Sequence, residues 1–329
     1  MEQASYYRRP APPFLEKLTR TPEMLRLRSV GMNCGCEYTA FPLFRELDPY
    51  SRYDHSLGAA RIVWDFTQDA AQTVAALLHD IATPAFAHSV DFLHGDHLQQ
   101  RSTEAETEHI IRASSPICAV LHEIGVAVDD VVDYHIYPIA DNDTPRLSAD
   151  RLEYTLGNLR NYGFCTAERL GEYYGDLTVS TNDSGEPELA FRSRSLALGF
   201  AEDALRCSKV YVSPEDRYAM QRLAELLAHA IRRGVLKETE LYHTEPEVIA
   251  TLSSDPICAR EWADFRRLHR MVWTEEEAPA ELRRVIYAKK RWIDPLVAGE
   301  GRVSALDREH AIALARFLDE PQDRWLCAE

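Results

Sequence analysis

No run in this sequence approaches the roughly 20 consecutive apolar residues that a membrane-spanning helix needs. The opening segment, MEQASYYRRPAPPFLEK, has no continuous apolar stretch of the kind a secretory signal carries. Paired CxxC motifs are missing too, so a structural zinc site is not expected. The seven cysteines are odd in number. Cys34 and Cys36 lie close together, while Cys118, Cys165, Cys207, Cys258 and Cys327 are scattered. The thiols therefore read as reduced, which fits a cytoplasmic setting. Excess positive charge is also absent. The formal net charge is −16, and binding a nucleic acid needs Lys and Arg to displace its counterions. Neither nucleic acid nor membrane is an expected partner. A small anion held by a few arginines and a metal ion remains compatible with this balance. No internal repeat or low-complexity tract interrupts the chain.

The 329 residues, 45% of them hydrophobic, suffice for one large domain or for a domain with an appended subdomain. Apolar residues recur at helical spacing along most of the length, so the expected class is all-α. Glu16–Val30, His55–Phe66, Thr73–Ile81, Leu98–Ala113, Pro116–Val128, Ala149–Leu159, Ala201–Tyr211 and Pro214–Arg233 each read as helix. Ser213 is the expected N-cap before Pro214 in a first helical turn. One stretch differs: LTVS and ELAF flank the turn-rich TNDSGEP, which predicts a small peripheral β-hairpin over Leu177–Phe191. A change of character near Ser253–Pro256 suggests a core over residues 1–252 and a C-terminal helical subdomain over 253–329. That tail carries no catalytic pattern.

The chemistry concentrates in AALLHDIATPAFAHS. His79 and Asp80 close an apolar helical run, and Thr83 before Pro84 should end the helix. His55 heads another apolar helix, in RYDHSLGAARIVW, and Asp150 heads a third, in SADRLEYTL. A lone His–Asp dipeptide more often satisfies hydrogen bonds in a core. Ionisable groups at the ends of several apolar helices are costly unless they share a partner. A divalent ion is the simplest common partner. Two imidazoles and two carboxylates suit Mn, Fe, Co, Ni or Zn, with Mg also compatible.

The order His55 … His79-Asp80 … Asp150, in these contexts, resembles the HD superfamily of metal-dependent phosphohydrolases, and within it the deoxynucleoside triphosphate triphosphohydrolase branch. Arg52-Tyr53-Asp54-His55-Ser56-Leu57-Gly58 is similar to that branch's R-[FY]-[ED]-H-S-L-G motif. His79-Asp80 with Phe86 and His88 resembles its HDxxHxPFxH segment, and Asp150-Arg151-Leu152-Glu153-Tyr154 its D-[KR]-x-[DE]-Y helix. Thr21–Arg28 is similar to its TPxxxRLR-type helix with the first Arg displaced, and Tyr38 with Phe41-Pro42 to its aromatic-Phe-Pro element. The resemblance covers about residues 20 to 155.

The resemblance implies an all-α HD-domain helical bundle. It makes His55, His79, Asp80 and Asp150 the metal ligands and Arg52 a contact to substrate phosphate. Arg151 and Tyr154 would touch the nucleotide's phosphates and sugar. His88 would stand beside the reacting phosphate as the acid for the leaving oxygen, and Asp80 would also orient the attacking water. It further implies a homo-oligomer. The sequence departs from the pattern at Thr83 and Thr103, where the branch has histidines. Residues Met32–Cys34 do not match the branch's sugar- and base-reading residues, and about four residues are inserted at Glu46–Pro49. Glu104 could supply a carboxylate in place of a missing imidazole. The leading expectation is hydrolysis of a deoxynucleoside triphosphate to release tripolyphosphate. The alternatives are a phosphomonoesterase or signalling-nucleotide hydrolase, and a non-catalytic metal-stabilised nucleotide sensor.

Overall fold

Local capping signals set where the site-bearing helices begin. The computed structural model describes residues 6–98, 106–273 and 284–329. Arg52–Thr67 starts with a capping box, in which Ser51 and Asp54 satisfy each other's free backbone N–H groups. It stops at Gln68, which takes a left-handed conformation at φ 53°. Asp69 then caps Ala70–Leu78, Ser148 caps Ala149–Asn161, and Ser213 caps Pro214–Arg232 with Pro214 in the first turn. Fifteen α-helices are present among the described residues, so the molecule is mainly helical. No helix among them is long and apolar enough to cross a membrane.

Three differences from the sequence expectation bear on the site. The expected Thr73–Ile81 helix ends earlier, at Leu78 with His79 as its C-cap, so His79 and Asp80 do stand at a buried helix end but just past its last residue. The expected Glu16–Val30 helix is broken into Pro13–Leu18 and Pro22–Arg26, because Pro22 starts a new helix and cannot continue the old one. The hairpin forms as expected, with β1 (Leu177–Thr181) antiparallel to β2 (Pro187–Phe191) and Leu177 opposite Phe191. It is not peripheral: Glu188, Leu189, Ala190 and Phe191 are buried, packed on the Arg194–Val210 helix and covered at the free edge of β2.

That cover comes from the C-terminal part of the chain. A short strand, β4 (Leu296–Val297), pairs parallel to β2 and antiparallel to β5 (Gly301–Arg302). β3 (Met271–Trp273) pairs with β6 (Leu326–Ala328), with Leu326 inside the core around the Pro214–Arg232 helix. The tail does contain the helices Pro256–Arg267 and Arg308–Asp319. Between them, residues 285–295 follow no regular secondary structure and reach the cavity that holds the site.

Candidate metal centre

The two helices that carry most of the site close on each other over a glycine. A methyl group at Gly58 would lie 2.4 Å from Glu153 Oε1, so only glycine lets Ala149–Asn161 approach Arg52–Thr67 this closely. The approach brings Glu153 Oε2 to 2.5 Å from His55 Nδ1 and within 2.5 Å of the Tyr50 hydroxyl that donates to it. His79 Nδ1 in turn donates to the Ala76 carbonyl at 2.8 Å. With both Nδ1 atoms donating outward, both Nε2 atoms present lone pairs inward.

Those lone pairs point at one spot. His55 Nε2 and His79 Nε2 lie 3.2 Å apart, and Asp150 Oδ1 is 3.0 Å from the first and 3.5 Å from the second. Asp80 Oδ2 stands 3.6 Å from His79 Nε2 and 3.9 Å from His55 Nε2. Donor atoms of His55, His79 and Asp80 all fall within 4.8 Å of one another. Ligands about 2.0–2.2 Å from one ion are spaced this way. Two lone pairs and two carboxylates facing each other also require positive charge between them. Burial opposes a charge on His55, yet the Asp150 and Glu153 carboxylates outweigh it and push its pKa up to about 10. The donor set therefore fits a divalent ion.

Around the four groups is a layer that fixes them. Thr83 donates to Asp80 Oδ1 at 2.8 Å and Arg52 Nη1 donates to Asp80 Oδ2 at 3.1 Å. Burial would raise the Asp80 carboxyl, but Arg52, His79 and His55 hold it well below the ordinary carboxylate range. Thr83 thus stands where an imidazole was expected and orients a carboxylate instead. Arg26, from the Thr21–Arg28 motif, donates to the carbonyls of Ile81 and Thr83 at 2.9 and 2.8 Å and pins the turn that carries His79-Asp80.

A cavity of about 650 Å³ opens over these residues. Arg52, His88, Arg151 and Tyr154 line it together with His55, His79, Asp80 and Asp150, so one space collects most of the sequence-derived set. Arg151 is tied to the preceding loop, its Nη1 donating to Asn142 Oδ1 at 2.7 Å and its Nη2 to the Asn142 carbonyl. Tyr154 packs edge-on to Tyr211 at 6.1 Å. His88 donates from Nδ1 to Asp91 at 2.8 Å, while its Nε2 accepts from Arg291 Nη2 at 3.1 Å. Burial first, then Arg291 and Arg52, push its pKa down to about 4 against the pull of Asp91. The ring is therefore neutral here, with its Nε2 lone pair occupied, and it carries no proton to give from that atom. Glu104 and Thr103 lie outside the described residues.

Sequence reasoning assigned no role to Glu153, Tyr50, Asp91, Arg291 or Asp216. Glu153 and Asp91 had a local signal, since each lies three residues along a helix from Asp150 or His88. Arg291 and Asp216 had none, because only the fold brings them to the cavity.

No protein-family model matches the chain. Two curated proteins are distantly similar. The uncharacterized protein YdhJ of Bacillus subtilis is 23% identical over 239 residues, 72% of this chain and 70% of that protein. The metal-dependent phosphohydrolase cns2 of Cordyceps militaris is 24% identical over 244 residues, 70% of this chain and 65% of that protein. The chain thus spans just under two thirds of the second relative's length.

Proposed function

We propose that this protein is an HD-type, metal-dependent phosphohydrolase acting on a nucleotide. The reading rests on the two inward Nε2 lone pairs, 3.2 Å apart, that face Asp150 and Asp80 while both Nδ1 atoms donate outward. The distant similarity to a protein named metal-dependent phosphohydrolase supports it.

His55, His79, Asp80 and Asp150 hold the ion. When bound, it supplies positive charge to a phosphoryl oxygen and to the attacking water. Arg52 keeps Nη1 on Asp80 and turns the rest of its guanidinium to the phosphate. A dianionic phosphate draws Arg291 away from His88 and raises the imidazole's pKa, so His88 gains its proton only with substrate in place. It then donates to the leaving oxygen. Glu104 keeps its place as a supplementary carboxylate in this reading.

The motif order favours a deoxynucleoside triphosphate, released as nucleoside and tripolyphosphate. One observation favours the phosphomonoesterase reading. Among the described residues, Arg52, Arg151, Lys289 and Arg291 line the cavity against Asp80, Asp141, Asp150 and Asp216. With the lining charges this nearly offset, one divalent ion suits a monoester dianion better than the higher charge of a triphosphate.

The test is a screen of nucleoside mono- and triphosphates with metal-stripped protein reloaded with Mn, Mg, Co, Fe, Ni or Zn. Chromatography should show tripolyphosphate or orthophosphate, and Asp80→Ala should abolish both turnover and metal retention. Nucleotide binding without product would favour the sensor reading. Full turnover and full metal content in Asp80→Ala would overturn the metal centre.

A further inference from the structure

The cavity has a second polar feature that the metal chemistry does not use. Asp216 lies in the first turn of the Pro214–Arg232 helix and lines the cavity. Among the described residues, the only side chain bonded to its carboxylate is Cys36, whose thiol is a weak donor 3.8 Å from Oδ1. Burial pushes the carboxyl up to about 8 despite the attraction of Arg291. A half-buried carboxyl on a cavity wall with so weak a partner keeps acceptor capacity for a bound molecule.

Its neighbourhood is built and rigid. Gly35 takes φ +86°, and a methyl group there would lie 2.4 Å from Leu223 Cδ2, so the Asn33–Cys36 turn presses directly on the Pro214–Arg232 helix. Ser89 Oγ donates to the Cys34 carbonyl at 2.7 Å and holds the turn from the other side. Met32 N donates to the Tyr50 carbonyl at 3.0 Å, which ties the same turn to the start of the helix bearing Arg52 and His55. Asn33 accepts from the Tyr162 hydroxyl at 3.3 Å, and its carboxamide N–H₂ has no bonding partner among the described residues. Cys34, Phe92, Tyr162 and Met220 line the same cavity and supply apolar surface to it. Apolar walls with a few convergent polar groups are how pockets orient a small molecule.

We infer that Asp216 reads the alcohol portion of the substrate, accepting hydrogen bonds from N–H or O–H groups on the nucleoside, with Asn33 beside it as a donor. The inference rests on the nucleotide reading given above. It makes Asp216 the specificity-determining residue for the alcohol portion, while the metal ligands and Arg52 serve the phosphate end. Two parts of a nucleoside offer such donors: the sugar hydroxyls, and the N–H groups of a base. In either case an analogue lacking the donors leaves the carboxyl unserved and is discriminated against.

Two compound pairs separate these sources. Adenosine monophosphate against its 2′,3′-dideoxy analogue removes sugar hydroxyls. Adenosine monophosphate against purine riboside monophosphate removes the base amine. The wild-type protein should prefer the donor-bearing member of one pair by roughly 10- to 100-fold in kcat/KM, the range for leaving a polar group of the site unserved. In Asp216→Asn, and separately in Asp216→Ala, that preference should fall to within about threefold, the residue of a lost discriminating bond. Circular dichroism and melting identify any variant that fails to fold, and the near-isosteric Asn replacement guards against that outcome. Equilibrium titration of the same compounds yields the same ratio in Kd, so the inference is tested even if no compound is hydrolysed and the hydrolase reading fails. No preference in either pair, no binding at all, or a preference unchanged in a folded variant would each overturn it.

Discussion

His88 shows how one contact changes a residue's chemistry. By itself an imidazole near pKa ~6.5 suits a general acid at neutral pH. Here burial and the Arg291 guanidinium push it down to about 4, so the free protein holds it neutral through the working range. Because the folded pKa lies below the ordinary value, the proton is gained only at more acid pH unless an anion arrives. Bound phosphate reverses the sign by adding negative charge beside the ring. The alkaline limb of kcat, which reports the substrate complex, should therefore lie at higher pH than that of kcat/KM, which reports the free protein. His88→Ala should remove the kcat limb and lower kcat by about 10²–10⁴, the usual range for a general acid. Its metal content should be unchanged, as measured by elemental analysis. Coincident limbs in the wild type, or a limb that survives in His88→Ala, would move the proton donor elsewhere.

At the scale of elements, the pair Arg52–Thr67 and Ala149–Asn161 supplies two of the four proposed ligands, His55 and Asp150. Ser51 and Ser148 fix where each helix starts, and so place His55 and Asp150 within the first turns that face each other. Gly58 then sets the separation, since Glu153 Cγ would lie 2.6 Å from a methyl group there. Gly58→Ala tests this against a competing effect. Alanine favours a helix interior over glycine by about 1 kcal/mol. Overpacking costs about 1–3 kcal/mol, and it would also push Glu153 off His55 Nδ1. We expect a net loss of stability in denaturant titration. Metal affinity should weaken by roughly 10- to 100-fold, as when a partner that orients a ligating imidazole is lost. A variant that is more stable and binds metal as tightly would show that the helices do not need this approach.

At the scale of the whole molecule, the C-terminal part of the chain locks the cavity. Arg302 forks onto Glu188 with contacts of 2.7 and 2.8 Å, and Glu188 Oε1 also accepts from Leu147 N at 3.1 Å. Asp294 N donates to the Pro145 carbonyl at 2.9 Å. Tail, β2 and the loop leading to Asp150 are thereby joined, and Arg291 is delivered to His88. The Glu188 side chain is fully buried, so removing its partner leaves an uncompensated charge. Arg302→Met should destabilise the fold by about 3–5 kcal/mol in urea titration. Adding Glu188→Gln should recover part of that loss, because the stranded charge is then gone. An Arg302→Met protein as stable as the wild type would mean that the pair contributes nothing to holding the tail.

The features legible along the chain are local ones. Helical periodicity gave the class, Ser213 and Pro214 marked a helix start, and β-prone runs around TNDSGEP marked a hairpin. The four proposed ligands drew notice because each stood at the end of an apolar helix, where an ionisable group is out of place without a shared partner. Glu153 was visible as a motif letter but not as the group that turns His55 Nε2 inward, since that depends on how closely two helices pack. Thr83 looked like a lost imidazole, and only its 2.8 Å bond to Asp80 reveals what it does instead. Arg291 and Asp216 were beyond sequence reading altogether. They lie more than 60 residues from Asp150 in the chain, with no periodicity or motif linking them to it. Their place in the cavity comes from long-range strand pairing, from a glycine that lets a turn press on a helix, and from a tail that crosses the domain. Such contacts depend on shape complementarity between distant segments, which tertiary packing alone decides.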